Sequence, residues 1–233
     1  MTTPYSGQVT PLGLPEMSSP MYMARVGCVA CHYQKESGGA RKYTGTTFFP
    51  SKEACVKCHG SEFKGIWEET GKALKGAQRK FTDKLEKARS AVSSAGLKGE
   101  PEKKIRAKLA KVESRYEFLI ASRGEHNIYL ASEILRRGNT SLNEIGTDLG
   151  ASLPDISDDP LISGMYCATM CHPKVGVKVP PETVRYKGKT MPHKAHTEFG
   201  GGCVKCHDIG AHKQTPLKKD AKAFCVNCHE GGP

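Results

Sequence analysis

All ten cysteines of this 233-residue chain fall into five motifs that each end in histidine, and no other feature constrains the chain as strongly. Four motifs read Cys-x-x-Cys-His: Cys28-Val-Ala-Cys31-His32, Cys55-Val-Lys-Cys58-His59, Cys203-Val-Lys-Cys206-His207 and Cys225-Val-Asn-Cys228-His229. The fifth, Cys167-Ala-Thr-Met-Cys171-His172, carries one extra residue, which a bulge of Met170 away from the site would accommodate. Paired cysteines also build zinc ribbons and disulfide frameworks, but neither needs histidine after each second cysteine. Histidine is 9 of 233 residues, so five chance placements have a probability on the order of one in ten million. Ten cysteines also divide unevenly among four-ligand zinc sites. Haem accounts for the whole pattern: two thiols add across its vinyl groups, and the adjacent imidazole becomes the proximal iron ligand. The expectation is five covalently bound c-type haems, with His32, His59, His172, His207 and His229 proximal.

Composition agrees with a cofactor-filled interior. Hydrophobic residues are 37%, aromatics 7%, and Gly and Pro together make 39 residues. That is a poor inventory for a side-chain core, and a macrocycle is itself a large apolar body. The formal net charge of +11 would suit an anionic partner such as nucleic acid. Haem propionates change the sum: five haems bring the net charge to about +6 oxidised and about +1 reduced. With no aromatic–basic interleaving, nucleic acid is not an expected partner.

No run approaches the length of apolar sequence that a transmembrane helix needs. The first 25 residues lack the apolar centre of a leader peptide and contain four prolines. In the proteins this chain resembles, covalent haem attachment belongs outside the cytoplasm, so an extracytoplasmic location, periplasm or cell surface, is the expectation. The expectation is therefore a leader already removed, or another export route.

Cysteine is absent from residues 59 to 166, which divides the chain into an N-terminal dihaem segment (1–62), a helical insert (63–150) and a C-terminal trihaem segment (151–233), expected to form one compact unit. The outer segments are rich in Gly and Pro and read as loops around cofactor. In the insert, Leu74, Ala77, Phe81, Leu85, Ala88 and Val92 recur every three or four residues, as one face of a helix requires. Gly96 and Gly99 interrupt, Pro101 suits a first turn, and Ile105, Leu109, Val112, Tyr116 and Leu119 form a second stripe. His126, Leu130 and Glu133 or Ile134 extend it, with Gly138 and Asn139 as a stop. The fold expected is mostly α with much irregular loop, a haem-packed chain with a long antiparallel helical hairpin and almost no β-structure.

Four histidines remain after the proximal ones: His126, His193, His196 and His212. Each is a distal-ligand candidate, since every iron needs a sixth ligand and an unpaired buried imidazole is costly. Five irons and four histidines leave one site short. A methionine could fill it (Met17, Met21 or Met23 near the first haem, Met165 or Met191 further on), as could a partner residue. An open position is the third option.

The run Pro192-His193-Lys194-Ala195-His196 ahead of Cys203 to His207 resembles the class III small multihaem cytochromes over about residues 190–229. That resemblance implies His193 as distal ligand to the haem on Cys203 and Cys206, and His196 as ligand to a neighbouring haem. Gly124-Glu125-His126-Asn127-Ile128-Tyr129, within a helical hairpin, is similar to the C-terminal helices of pentahaem ammonia-forming nitrite reductases and their relatives. There a helix-borne His-Asn supplies a distal ligand, which implies that role for His126. Those reductases carry a catalytic haem usually held by lysine, and all five motifs here end in histidine, so nitrite reduction is not implied.

Catalysis on haem needs a vacant coordination position with acid–base groups nearby, whereas electron transfer needs only ligated irons held in a rigid array. The expectation is a non-enzymatic electron carrier between redox partners, with a membrane-bound oxidoreductase complex among the candidates. The alternatives are a redox enzyme or subunit with one open haem acting on a small nitrogen or sulfur compound, and a building block of a polymeric haem wire.

Overall fold

The computed structural model describes residues 2–8, 12–14, 16–35, 48–51, 53–179, 181–200, 206–207, 217–219, 225–226 and 229. In chain order the described elements are α1 (Thr2–Ser6), α2 (Pro20–Met23), β1 (His32–Lys35), β2 (Phe48–Pro50), α3 (Ala54–His59), α4 (Ile66–Ser94), α5 (Glu100–Ala121), α6 (Ile128–Leu149), α7 (Pro160–Ser163), β3 (Val184–Tyr186), β4 (Lys189–Met191) and α8 (His193–Gly200). The protein is mostly α, and the described β-structure is two short antiparallel ladders, β1–β2 and β3–β4.

The two apolar stripes become α4 and α5, an antiparallel pair. Gly99 precedes α5 with φ of +73°, and Pro101 sits in its first turn. Tyr116 bridges the pair, within 2.8 Å of the Thr82 hydroxyl and donating to the Gln78 carbonyl at 3.0 Å. The stripe does not continue unbroken through His126. After α5 ends, Arg123 turns left-handed (φ +51°) and a 3₁₀ turn spans Gly124–Asn127. Gly124 is required there, because a Cβ would lie 2.5 Å from Leu119 Cδ1. The chain then reverses into α6, which runs alongside α4 and antiparallel to α5, so three helices pack together.

Gly138 and Asn139, read as a stop, lie inside α6, which ends at Gly150 in the left-handed region. Their actual role is packing. A Cβ on Gly138 would meet Phe81 Cζ at 2.5 Å, so glycine lets α4 and α6 approach closely. Asn139 accepts from the buried Lys84 Nζ at 2.7 Å, and Asn143 accepts from the same ammonium. Phe81, Leu135, Leu142 and Ile145 are fully buried in this core, each removal from water stabilising by about 1.5–3 kcal/mol.

The N-terminal segment is pinned to the bundle. Arg115 donates to the Leu12 and Gly13 carbonyls at 2.9 and 2.7 Å, and Leu14 joins the core. On the other side, α7 covers α6, with the Asp159 side chain capping it by accepting from Leu161 N at 3.0 Å. Tyr166, just beyond, lies 2.6 Å from the Thr70 hydroxyl of α4.

Candidate haem-binding sites

The first two motifs are set against each other by the β1–β2 ladder. Cys28–Ala30 form a 3₁₀ turn, and β1 begins at His32, opposite Pro50. Ser51 N donates to the Cys31 carbonyl at 2.8 Å, and α3 starts three residues later. That helix holds Cys55 and Cys58 one turn apart, so both thiols share a face. The four sulfurs form one neighbourhood: burial, then Cys58, then Cys28 raise the Cys31 thiol, while burial and then Cys31 raise Cys55. A cavity of about 550 Å³ opens beside Cys28, lined by Tyr5, Tyr22, Met23, Arg25 and Val26. Tyr5 donates to the Val26 carbonyl at 2.8 Å and holds that wall.

The extra residue in Cys167–Cys171 is absorbed by a single π-helical turn. A wider turn carries an added residue while keeping its first and last positions near one face. Met170 does not bulge away: it is half-buried against the core, because the turn rests on the bundle. Tyr129 and Tyr166 hydrogen-bond Cys167 and Cys171 respectively; burial first and then the thiols push both phenols up, against a smaller downward pull of the Thr70 hydroxyl on Tyr166. Met17, expected near the first motif, lines a cleft with Cys167, Tyr129, Tyr166, Glu133 and Arg136. The sequence offered no signal for these two tyrosines, which reach the thiols only through helix packing.

Among the described residues three pairs of imidazoles lie close together. The rings of His32 and His126 have centres 6.2 Å apart and planes 8° apart. For His196 and His229 the values are 6.0 Å and 17°, and for His193 and His207 6.0 Å and 74°. An iron about 2.0 Å from each nitrogen, with each nitrogen about 1.1 Å from its ring centre, separates two ring centres by about 6.2 Å. Each pair joins a motif histidine to a non-motif histidine. Moreover, His126 Nδ1 lies 3.1 Å from the Arg123 carbonyl and His196 Nδ1 2.8 Å from the Pro192 carbonyl. A carbonyl only accepts, so Nδ1 carries the proton in both rings and Nε2 keeps the lone pair that a metal needs.

Asn127 positions His126. Its Oδ1 accepts from Leu130 N at 3.2 Å, capping α6, while Nδ2 donates to the carbonyls of Pro4 at 2.9 Å and Met17 at 2.6 Å. This buried amide ties the His126 turn to the N-terminal segment that leads to Cys28. Among the described residues, no group of three or more His, Cys, Asp and Glu converges as a zinc site would, and no disulfide joins the eight described cysteines. The residues fit haem instead. His59 ends α3 with its ring 4.8 Å from Phe63, and His172 follows the π turn. Of the other methionine candidates, Met21 and Met23 are exposed, and Met165 and Met191 are half-buried. Cys203, Cys228 and His212 lie outside the described residues.

Comparison with known proteins agrees with this chemistry. The chain is 31% identical over 75 residues to Cytochrome c7 of Geobacter metallireducens, a match spanning 30% of this chain and 80% of that protein. No family model and no solved structure matches. The similarity to nitrite reductases gains no support from these comparisons. Motifs, facing imidazoles and the relative all agree, and the chain belongs to the multihaem c-type cytochromes.

Proposed function

We propose that this protein carries electrons between redox partners through five covalently attached haems, without catalysing a reaction of its own. The observation that carries the reading is the set of three imidazole pairs at iron-spanning distance. On this reading His126 is distal to His32, His193 to His207, and His196 to His229. Haem supplies the one-electron chemistry when bound, and two imidazoles hold its iron six-coordinate in both oxidation states. The protein's own residues fix the ligands: Arg123 and Pro192 carbonyls orient two rings, Asn127 anchors one turn, and α8 carries two ligands on one rigid element. His212 and Met17 are the candidates for the sixth position opposite His59 and His172.

His32 on β1, His193 and His196 on α8 and His126 in its anchored turn hold these ligands in place, which keeps reorganisation small, as fast transfer requires. On this reading the three segments act as one unit, the N-terminal one tied to the helices by Arg115 and Asn127 and the start of the C-terminal one by the Thr70–Tyr166 and Ser132–Leu161 contacts. Extracytoplasmic location follows from covalent haem attachment, and no described helix is long and apolar enough to cross a membrane. Partners are other redox proteins, docked through lysine-rich faces by charge complementarity. The test is the natively matured protein: its mass should exceed that of the chain by five haems, and its ferric spectrum should be dominated by low-spin signals. A mass showing no added porphyrin would overturn the reading.

A further inference from the structure

His193 and His196 stand three residues apart on α8, so the haems they serve are neighbours held by one helix. Their axial geometries differ. The His193 and His207 planes are twisted 74° apart, whereas those of His196 and His229 are within 17°. When two imidazoles ligate one iron, both planes contain the ligand–iron axis, and the angle between them decides how the ligand π-orbitals meet the metal.

Parallel rings push one of the two iron dπ orbitals above the other. Low-spin ferric iron places three electrons in this pair and gains half the splitting, while ferrous iron fills both orbitals and gains nothing. Parallel rings therefore stabilise the oxidised state. Crossed rings leave the orbitals nearly equal and remove that preference, so the crossed site accepts an electron more readily.

Burial points the same way. His193 and His207 are half-buried, whereas His196 and His229 are exposed. A drier site disfavours the more positive ferric centre. The hairpin β3–β4 runs straight into α8, and Lys194 N donates to the Glu182 carbonyl at 3.2 Å, so the start of the helix is held.

We propose that these two haems form an asymmetric pair in which the electron settles on the haem ligated by His193 and His207. The inference rests on the ligand pairs proposed above. Electrons arriving at the more exposed site of His196 and His229 pass to the crossed-ring site and stay there until withdrawn.

The experiment is electron paramagnetic resonance of the ferric holoprotein during a potentiometric titration, with His193→Ala and His196→Ala alongside. Crossed imidazoles give a low-spin signal of large g anisotropy, and parallel ones an ordinary rhombic signal. The expected result is a large-anisotropy signal, lost in His193→Ala, that disappears on reduction at a higher potential than the rhombic signal lost in His196→Ala. A wild-type protein without a large-anisotropy signal overturns the proposal with no variant needed. So does His193→Ala removing rhombic intensity instead, or the reverse order of reduction. No change of spin state in either variant removes the ligand pairs and overturns the proposal with them, whereas failure of the electron-carrier reading shows separately, as missing haem.

Discussion

Asn127 donates its side-chain amide to the Met17 carbonyl at 2.6 Å, across 110 residues of sequence. The same side chain caps α6 and holds the Pro4 carbonyl, so one buried amide joins three backbone segments around the His126 turn. Asn127→Ala removes a cap and leaves buried carbonyls unpaired, a loss of about 2–4 kcal/mol. Denaturant titration of the holoprotein should show this loss together with partial high-spin character at one haem. Asn127→Asp, which keeps the capping oxygen but turns a second acceptor toward the Pro4 and Met17 carbonyls, should lose at least as much.

His126→Ala tests the ligand directly. One haem's worth of ferric absorption should change from low- to high-spin, and the reduced protein should gain binding of carbon monoxide at that one site. An unchanged spectrum removes His126 from the ligand set.

Gly138→Ala should destabilise the bundle by about 1–3 kcal/mol, because the new methyl would sit 2.5 Å from Phe81 Cζ. The haem spectra should hold, since the clash lies in the helical core. Adding Phe81→Leu should recover part of the loss, and a double variant no better than the sum of the singles would refute the contact.

Glu133 gives a pH prediction. Burial pushes its carboxyl up, but hydrogen bonds and charge from Arg136 and Arg137 outweigh this and hold it below the ordinary carboxylate range. A depressed folded-state value stabilises the fold above the unfolded value, and the contribution is lost as pH falls through the folded one. Glu133→Gln should therefore cost about 1–3 kcal/mol at neutral pH, discounted because both arginines are partly exposed. The gap to wild type should close as pH drops below the carboxylate range. A constant gap in denaturation curves from pH 7 to 3 would refute the assignment.

The haem motifs were legible in the sequence because thioether attachment demands cysteine spacing and a following histidine, a strictly local requirement. The stripes from Leu74 to Val92 and from Ile105 to Leu119 were legible for a similar reason, since helical periodicity is local. The break at Arg123 was not, because it depends on Gly124 meeting Leu119 and Leu74 across the bundle. Likewise Gly138 and Asn139 read as a helix stop, and only Phe81 and Lys84 on a neighbouring helix turn them into packing and hydrogen-bonding positions. Which histidine faces which motif, and at what ring angle, is a relation between residues up to 94 positions apart, as for His32 and His126. Local chemistry wrote which side chains could hold haem. The pairing and orientation came from the packing of distant helices and ladders, because no spacing rule links residues that meet only once the chain has folded.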